Sequence, residues 1–187
     1  MTNGIADLAP AQRHRAVAGE FAKYVVATED WDAQSPVADW VARDVVRHLV
    51  EWFPAFLADG GIILEPSPSV DVDPVAAWSA HAAAVQALLD GDNAQSEFTH
   101  PRAGTYPLST AIDMFYTADV FMHTWDLARA SGVTPDLDEQ FASNLLGGMA
   151  PIEEMLRSSG QYGPAKPVAD DASAVVKLAA FIGRDPA

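Results

Sequence analysis

Cysteine is absent from the 187 residues of this chain. That excludes disulfides, thiolate metal sites and a cysteine nucleophile together, so a transition-metal site must use His and carboxylate ligands, and thiol chemistry must import its thiol. Basic residues are scarce: 11 Lys and Arg stand against 26 Asp and Glu, a formal charge of −15. So acidic a surface repels phosphate backbones and anionic membranes, which argues against nucleic acid or a membrane as partner. No stretch approaches the ~20 apolar residues of a membrane span. The opening segment Met1-Thr2-Asn3-Gly4-Ile5-Ala6-Asp7 lacks the basic and apolar regions of a signal peptide. The expectation is a cytoplasmic protein that acts on a small molecule. Also missing are a G-x-G-x-x-G fingerprint, a Walker-type loop, a G-x-S-x-G elbow, any repeat and any convincing strand alternation.

What is present reads as helix. The length suits a single domain over residues 1–187, and 49% apolar with 20% charged residues is ordinary for a globular chain. A first helix is expected from Pro10 to Thr28, with Val17, Phe21, Tyr24, Val25 and Thr28 near one face. A second starts near Asp39, its N-cap, or Trp40, and carries Val41, Val45, Leu49, Trp52 and Phe53. Pro54 should kink it before Gly60-Gly61 ends it. A third runs from Asp73-Pro74 to Leu89. Phe98 to Pro107 reads as a Pro/Gly loop with room for short extended segments. A fourth helix covers Ser109 to Ser131, closed by Gly132. A fifth spans Asp138 to Arg157, where Gly147-Gly148 suggests a close helix contact, and a last one spans Ala172 to Gly183. Long amphipathic helices joined by loops predict an all-α bundle, whose sites are built from side chains on facing helices.

One segment breaks the apolar pattern. In Asp119-Val120-Phe121-Met122-His123 an aspartate and a histidine lie at i and i+4, on one helical face. His48 sits upstream on the stripe of Val45, Leu49 and Trp52. Two buried polar groups need partners. A three-point His/Asp/His set is what an open zinc-type site needs, whereas a hydrogen-bonded Asp–His pair with a separately satisfied His48 is the other reading the residues leave open. Asp126, at i+3 from His123, suits a supporting partner to Arg129 or to a ring nitrogen. Trp52, Tyr116 and Trp125 are candidate pocket walls. Among the other histidines, His14 in Arg13-His14-Arg15 reads as solvated, His81 as half-buried on the third helix, and His100 as a loop residue. The acidic pairs Glu153-Glu154 and Asp170-Asp171 read as solvated termini.

Three segments in order resemble one known family. Trp40-Val41-Ala42-Arg43-Asp44-Val45-Val46-Arg47-His48-Leu49-Val50 is like W-x-x-R-D-x-x-x-H-L-V, and Asp119 to Ala130 is like E-x-x-x-H-x-W-D-L-A-R-A. Leu178 to Pro186 is like a closing L-A-x-x-x-G-R-D-P. The chain thus resembles the actinobacterial branch of the DinB-like superfamily related to the N-terminal domain of mycothiol-dependent maleylpyruvate isomerase. The resemblance implies an up-down four-helix bundle with additional C-terminal helices, often a homodimer. It implies a divalent metal, usually zinc, held by His48, Asp119 and His123, and a low-molecular-weight thiol as cosubstrate for S-transfer to, or isomerisation of, a small electrophile. The chain departs from the family in having Asp119 where Glu is common, an arm shorter by one methylene. A non-catalytic metal- or small-molecule-binding bundle with a sequestration or regulatory role is the alternative.

Overall fold

A computed structural model describes residues 4–186; the first three residues of the amino-terminal segment read above lie outside it. Ala9–Val133 forms one compact unit, and the chain on either side of it contributes a second. Both are built mainly of helix. Among the described residues no helix is long and apolar enough to cross a membrane.

In the first unit, α1 (Pro10–Ala27) starts with proline at its first turn, where the missing N–H has no intrahelical role. Its stripe of Val17, Phe21 and Val25 is buried. Helix α1 packs on α3 (Pro74–Asp90), and α2 (Ala42–Asp59) packs on α3 and on α5 (Ala118–Ala130), which also meets α1. Phe21 meets Trp78 at 4.4 Å between ring centroids, and Phe53 stacks on Tyr116 at 4.1 Å. Burying such rings contributes roughly 1.5–3 kcal/mol each.

Helix α2 begins later than its pattern suggests, and Asp39 is not its N-cap. Asp39 adopts a left-handed backbone, φ 64°, which aspartate tolerates better than most residues. The turn it makes lets Trp40 pair back onto Ser35, whose N–H donates to the Trp40 carbonyl at 2.9 Å. Asp44 then closes the helix start, its carboxylate accepting the Val41 N–H at 2.9 Å. Helix α2 continues through Pro54 to Asp59 rather than ending there. At Gly60 a side chain would run into the ring of Phe98.

The Pro/Gly loop contains an antiparallel hairpin, β1 (Glu97–His100) with β2 (Gly104–Pro107), Phe98 facing Tyr106. His100 belongs to this turn: its Nδ1 accepts the N–H groups of Arg102 and Ala103, each at 3.1 Å. The strand β2 leads directly into α4 (Leu108–Ala111), a π-helical turn over Ile112–Thr117, and then α5. The fourth expected helix is therefore continuous but carries a wider turn that 3.6-residue periodicity does not reveal.

The second unit comprises a 3₁₀ turn (Ile5–Asp7), α6 (Glu139–Met149), α7 (Glu153–Ser158) and α8 (Ala174–Phe181). The expected fifth helix is broken by a 3₁₀ turn at Ala150–Ile152, where Pro151 supplies no amide donor. Asp138 caps α6 by accepting the Phe141 N–H at 2.7 Å. Helix α8 starts at Ala174, with Ser173 as its N-cap. Gly147 and Gly148 do not mark a close contact, since nothing lies within 4 Å of a side chain placed at either. Gly183 does: at φ 95° its backbone lies against Gly163, leaving no room for a side chain.

Two histidine expectations are corrected. His14 is fully buried rather than solvated, its Nδ1 3.0 Å from Thr117 Oγ1. Arg15 reaches outward to Asp90 and Arg13 pairs with Asp113 at the edge of the core, while the ring turns inward. His81 is buried too, rather than half-buried. Burial pushes both rings down from 6.5 to about 4, helped at His14 by the proximity of His81 and Arg15. Both are therefore neutral in the folded protein at neutral pH. The unfolded chain gains these protons as pH falls through 6.5, while the folded chain does not until about 4. Stability should accordingly drop between pH 6.5 and 4, by a few kcal/mol per ring at ~1.4 kcal/mol per unit. Urea melts at pH 7, 5.5 and 4.5 will measure this. A His81→Phe variant should lose distinctly less stability than the parent over that range, and equal losses would count against the buried-histidine account.

Candidate metal centre

Helix α2 projects His48 and Trp52, at i and i+4, from one face, and α5 projects Asp119 and His123 at the same spacing from the facing side. The four side chains meet at one carboxylate. Asp119 Oδ2 lies 3.1 Å from His48 Nε2 and accepts the Trp52 indole N–H at 2.9 Å. Asp119 Oδ1 lies 3.5 Å from His123 Nε2. One turn further along α5, Asp126 Oδ2 lies 2.8 Å from His123 Nδ1.

Exposure gives the site a direction. The side chains of His48 and Asp119 are 30% and 17% exposed, whereas those of His123 and Asp126 are 6% and 0%. The open side is a shallow cavity of about 390 Å³ lined by Asp39, Trp40, Asp44, Arg47, His48 and Glu51. Arg47 is engaged by Asp44 and Asp71. Trp40 covers the site, its ring 5.1 Å from that of His48 and stacked on His123 at 5.8 Å.

The donor set could hold a metal ion. His48, Asp119 and His123 each offer a ligand atom, and these atoms lie within 4.8 Å of one another. Ligands at ~2.0–2.1 Å from a tetrahedral zinc lie about 3.3 Å apart. His123 Nε2 lies 3.5 Å from Asp119 Oδ1, close to that value, while His48 Nε2 lies 3.1 Å from the other oxygen, Oδ2. A second observation concerns protons. Where Asp126 is ionised it can only accept, so a neutral His123 facing it would carry its proton on Nδ1 and leave Nε2 with the lone pair. That lone pair faces a carboxylate oxygen. The contact is repulsive unless a cation, a further proton or a metal ion, stands between them.

The other expected residues are placed as follows. Tyr116 is fully buried behind the site against Phe53, its ring 5.9 Å from Trp52. Burial and the nearby Asp119 charge push its hydroxyl well above 10, so it stays protonated. Trp125, two residues past His123, projects from another side of α5 and lies under the Arg129 guanidinium at 5.7 Å. His14, His81 and His100 do not join the centre. Trp40 as the cover, and the donor role of Trp52 beside its place as a candidate wall, were not read from the sequence. The signal for Trp52 was its i+4 spacing from His48; Trp40 is brought in by the turn at Asp39, for which periodicity gives no sign.

Burial alone would raise the Asp119 carboxyl, but the His123 and His48 rings and the Trp52 N–H outweigh it and hold the group below its ordinary 3.8. The stability it contributes is present above pH 3.8 and is lost as pH falls through the lower folded value. Carboxyl-carbon NMR should show Asp119 titrating below 3.8, with His48→Gln moving the midpoint upward. A midpoint at or above 3.8 in the parent would contradict this electrostatic picture.

Comparison with known proteins gives two relatives. Both are uncharacterized proteins of Mycobacterium tuberculosis, one from strain CDC 1551 / Oshkosh and one from strain ATCC 25618 / H37Rv. Each is 27% identical over 179 residues, covering 94% of this chain and 97% of the relative. No family model matches the chain, and no solved structure matches it.

Proposed function

We propose that α1, α2, α3 and the helical run ending in α5 form a DinB-like up-down four-helix bundle, that His48, Asp119 and His123 hold a divalent ion, zinc by preference, and that the centre serves a thiol-dependent enzyme. The observation that carries the metal reading is the convergence of one ligand atom each from His48, Asp119 and His123 within 4.8 Å of one another, with His123 Nδ1 held 2.8 Å from Asp126 on the far side of the ring. Nitrogen and oxygen donors of this number, open on one side, suit zinc with room for an exogenous ligand.

His48 and His123 would give one nitrogen each and Asp119 one carboxylate oxygen. Asp126 fixes the His123 tautomer and makes the ring a better donor. Trp40 shields the two imidazoles from bulk water, and the cavity beside His48 admits a small molecule. When bound, a divalent ion supplies a Lewis acid beside which a thiol ionises at neutral pH. The thiol must come from outside, since the chain has no cysteine. The overall reaction joins the thiol sulfur to an electrophilic carbon, with the thiol proton passing to the adjacent carbon; in an isomerisation the same bond breaks again and the thiol is regenerated. A cytoplasmic homodimer belongs to this reading.

A second reading is a non-catalytic binding protein, or a purely structural network. It is favoured by Asp119 Oδ2, which already has two partners in Trp52 and His48. The two readings separate in one experiment. Untagged protein, never exposed to chelator, should contain close to one zinc per chain. Zinc at a hundredfold excess over its Kd should stabilise the fold by about 2.7 kcal/mol, visible as a higher Tm that a chelator removes. Offered a thiol and a panel of electrophiles, the loaded protein should conjugate them, and His123→Ala should abolish turnover while folding. Bound metal without turnover would select the binding protein, and no metal with a chelator-insensitive Tm would select the structural network.

A further inference from the structure

Trp52 is the least expected member of the centre. Its indole nitrogen is a donor only, so it can neither ligate an ion nor give up its place to one. It lies four residues after His48, and both reach the same oxygen, Asp119 Oδ2, from α2 while the aspartate comes from α5. The ring is wedged by Phe53 at 5.4 Å, Phe56 at 5.8 Å and Tyr116 at 5.9 Å, which fixes the direction of the N–H.

This geometry has a consequence for ligation. The terminal torsion of an aspartate is soft, so an unrestrained carboxylate can turn to offer one oxygen or both. When His48 Nε2 gives its lone pair to an ion it no longer donates to Oδ2. The Trp52 N–H then remains on that oxygen, and Oδ1, on the His123 side, is the oxygen left to turn toward the ion. We propose that Trp52 is a positioning residue: it pins Asp119 Oδ2, so that Asp119 binds the ion through Oδ1 alone and an external ligand keeps its place. The proposal rests on the metal reading above and adds to it the denticity of the carboxylate.

The test uses the full chain and two readouts other than activity. Zinc affinity is measured by competition with a chromophoric chelator, and coordination by the visible bands of the cobalt(II)-loaded protein. Trp52→Phe keeps the ring contacts and removes the N–H. It should fold as the parent does by far-UV circular dichroism and bind zinc 10–100-fold more weakly, the usual effect of losing a hydrogen bond to a ligand. Its cobalt bands should shift and weaken as the second carboxylate oxygen joins the ion. Trp40→Phe, which leaves this hydrogen bond in place, should keep the parent bands. If Trp52→Phe does not fold, Trp52→Gln, which retains N–H donors without an imidazole, is to be compared with Trp52→Leu, and only the former should keep the parent bands. Affinity within twofold of the parent, or weaker affinity with unchanged bands, would overturn the role given to Trp52. Failure of the parent to bind either ion would instead sink the metal reading itself.

Discussion

The carboxylate of Asp119 is the point on which the centre depends. It is drawn partly out of water among aromatic rings, where an ionised group is unfavourable without partners. Its partners come from two helices: His48 and Trp52 from α2, and His123 from its own α5. The same atoms that satisfy the charge therefore also tie α2 to α5. The short aspartate arm is no obstacle to this, because Oδ2 reaches His48 Nε2 at 3.1 Å.

Polarity runs deeper into the first unit than the Asp119 centre. Tyr116 lies between Phe53 and the rings of His81 and His14, at 5.4 and 5.8 Å. His14 is bonded to Thr117, within the π-helical turn that leads into α5. A wider turn changes the angular register of everything before it relative to everything after it. Thr117 and Asp119 stand two residues apart, about 200° around the helix, so one helical run serves a buried histidine on one side and the Asp119 centre on the other.

Much of the helical layout was legible because apolar spacing and punctuation agreed. Pro10 and Asp73-Pro74 mark helix starts, and Gly60-Gly61 and Gly132 mark ends, since these residues constrain the backbone wherever they occur. The errors share a cause. Asp39 looks like a cap until the backbone turns left-handed there, and Asp138 to Arg157 looks like one helix until Pro151 interrupts it. His14 looks solvated between two arginines, yet a helix turns successive side chains by about 100° and sends the ring inward while Arg15 faces out. Charge in the sequence neighbourhood is a poor guide to burial when the element is helical.

The sequence by itself determined the chemistry on offer: no thiolate, a strongly acidic chain, and three imidazole or carboxylate groups at positions where helices would bury them. Spacing also put Asp119 with His123 and His48 with Trp52, because i and i+4 share a face in any helix. Only the tertiary structure decided that the two faces converge and that Trp52 acts through its N–H. Those facts depend on how α2 and α5 pack. Packing follows from the whole set of buried contacts, not from any local stretch of residues.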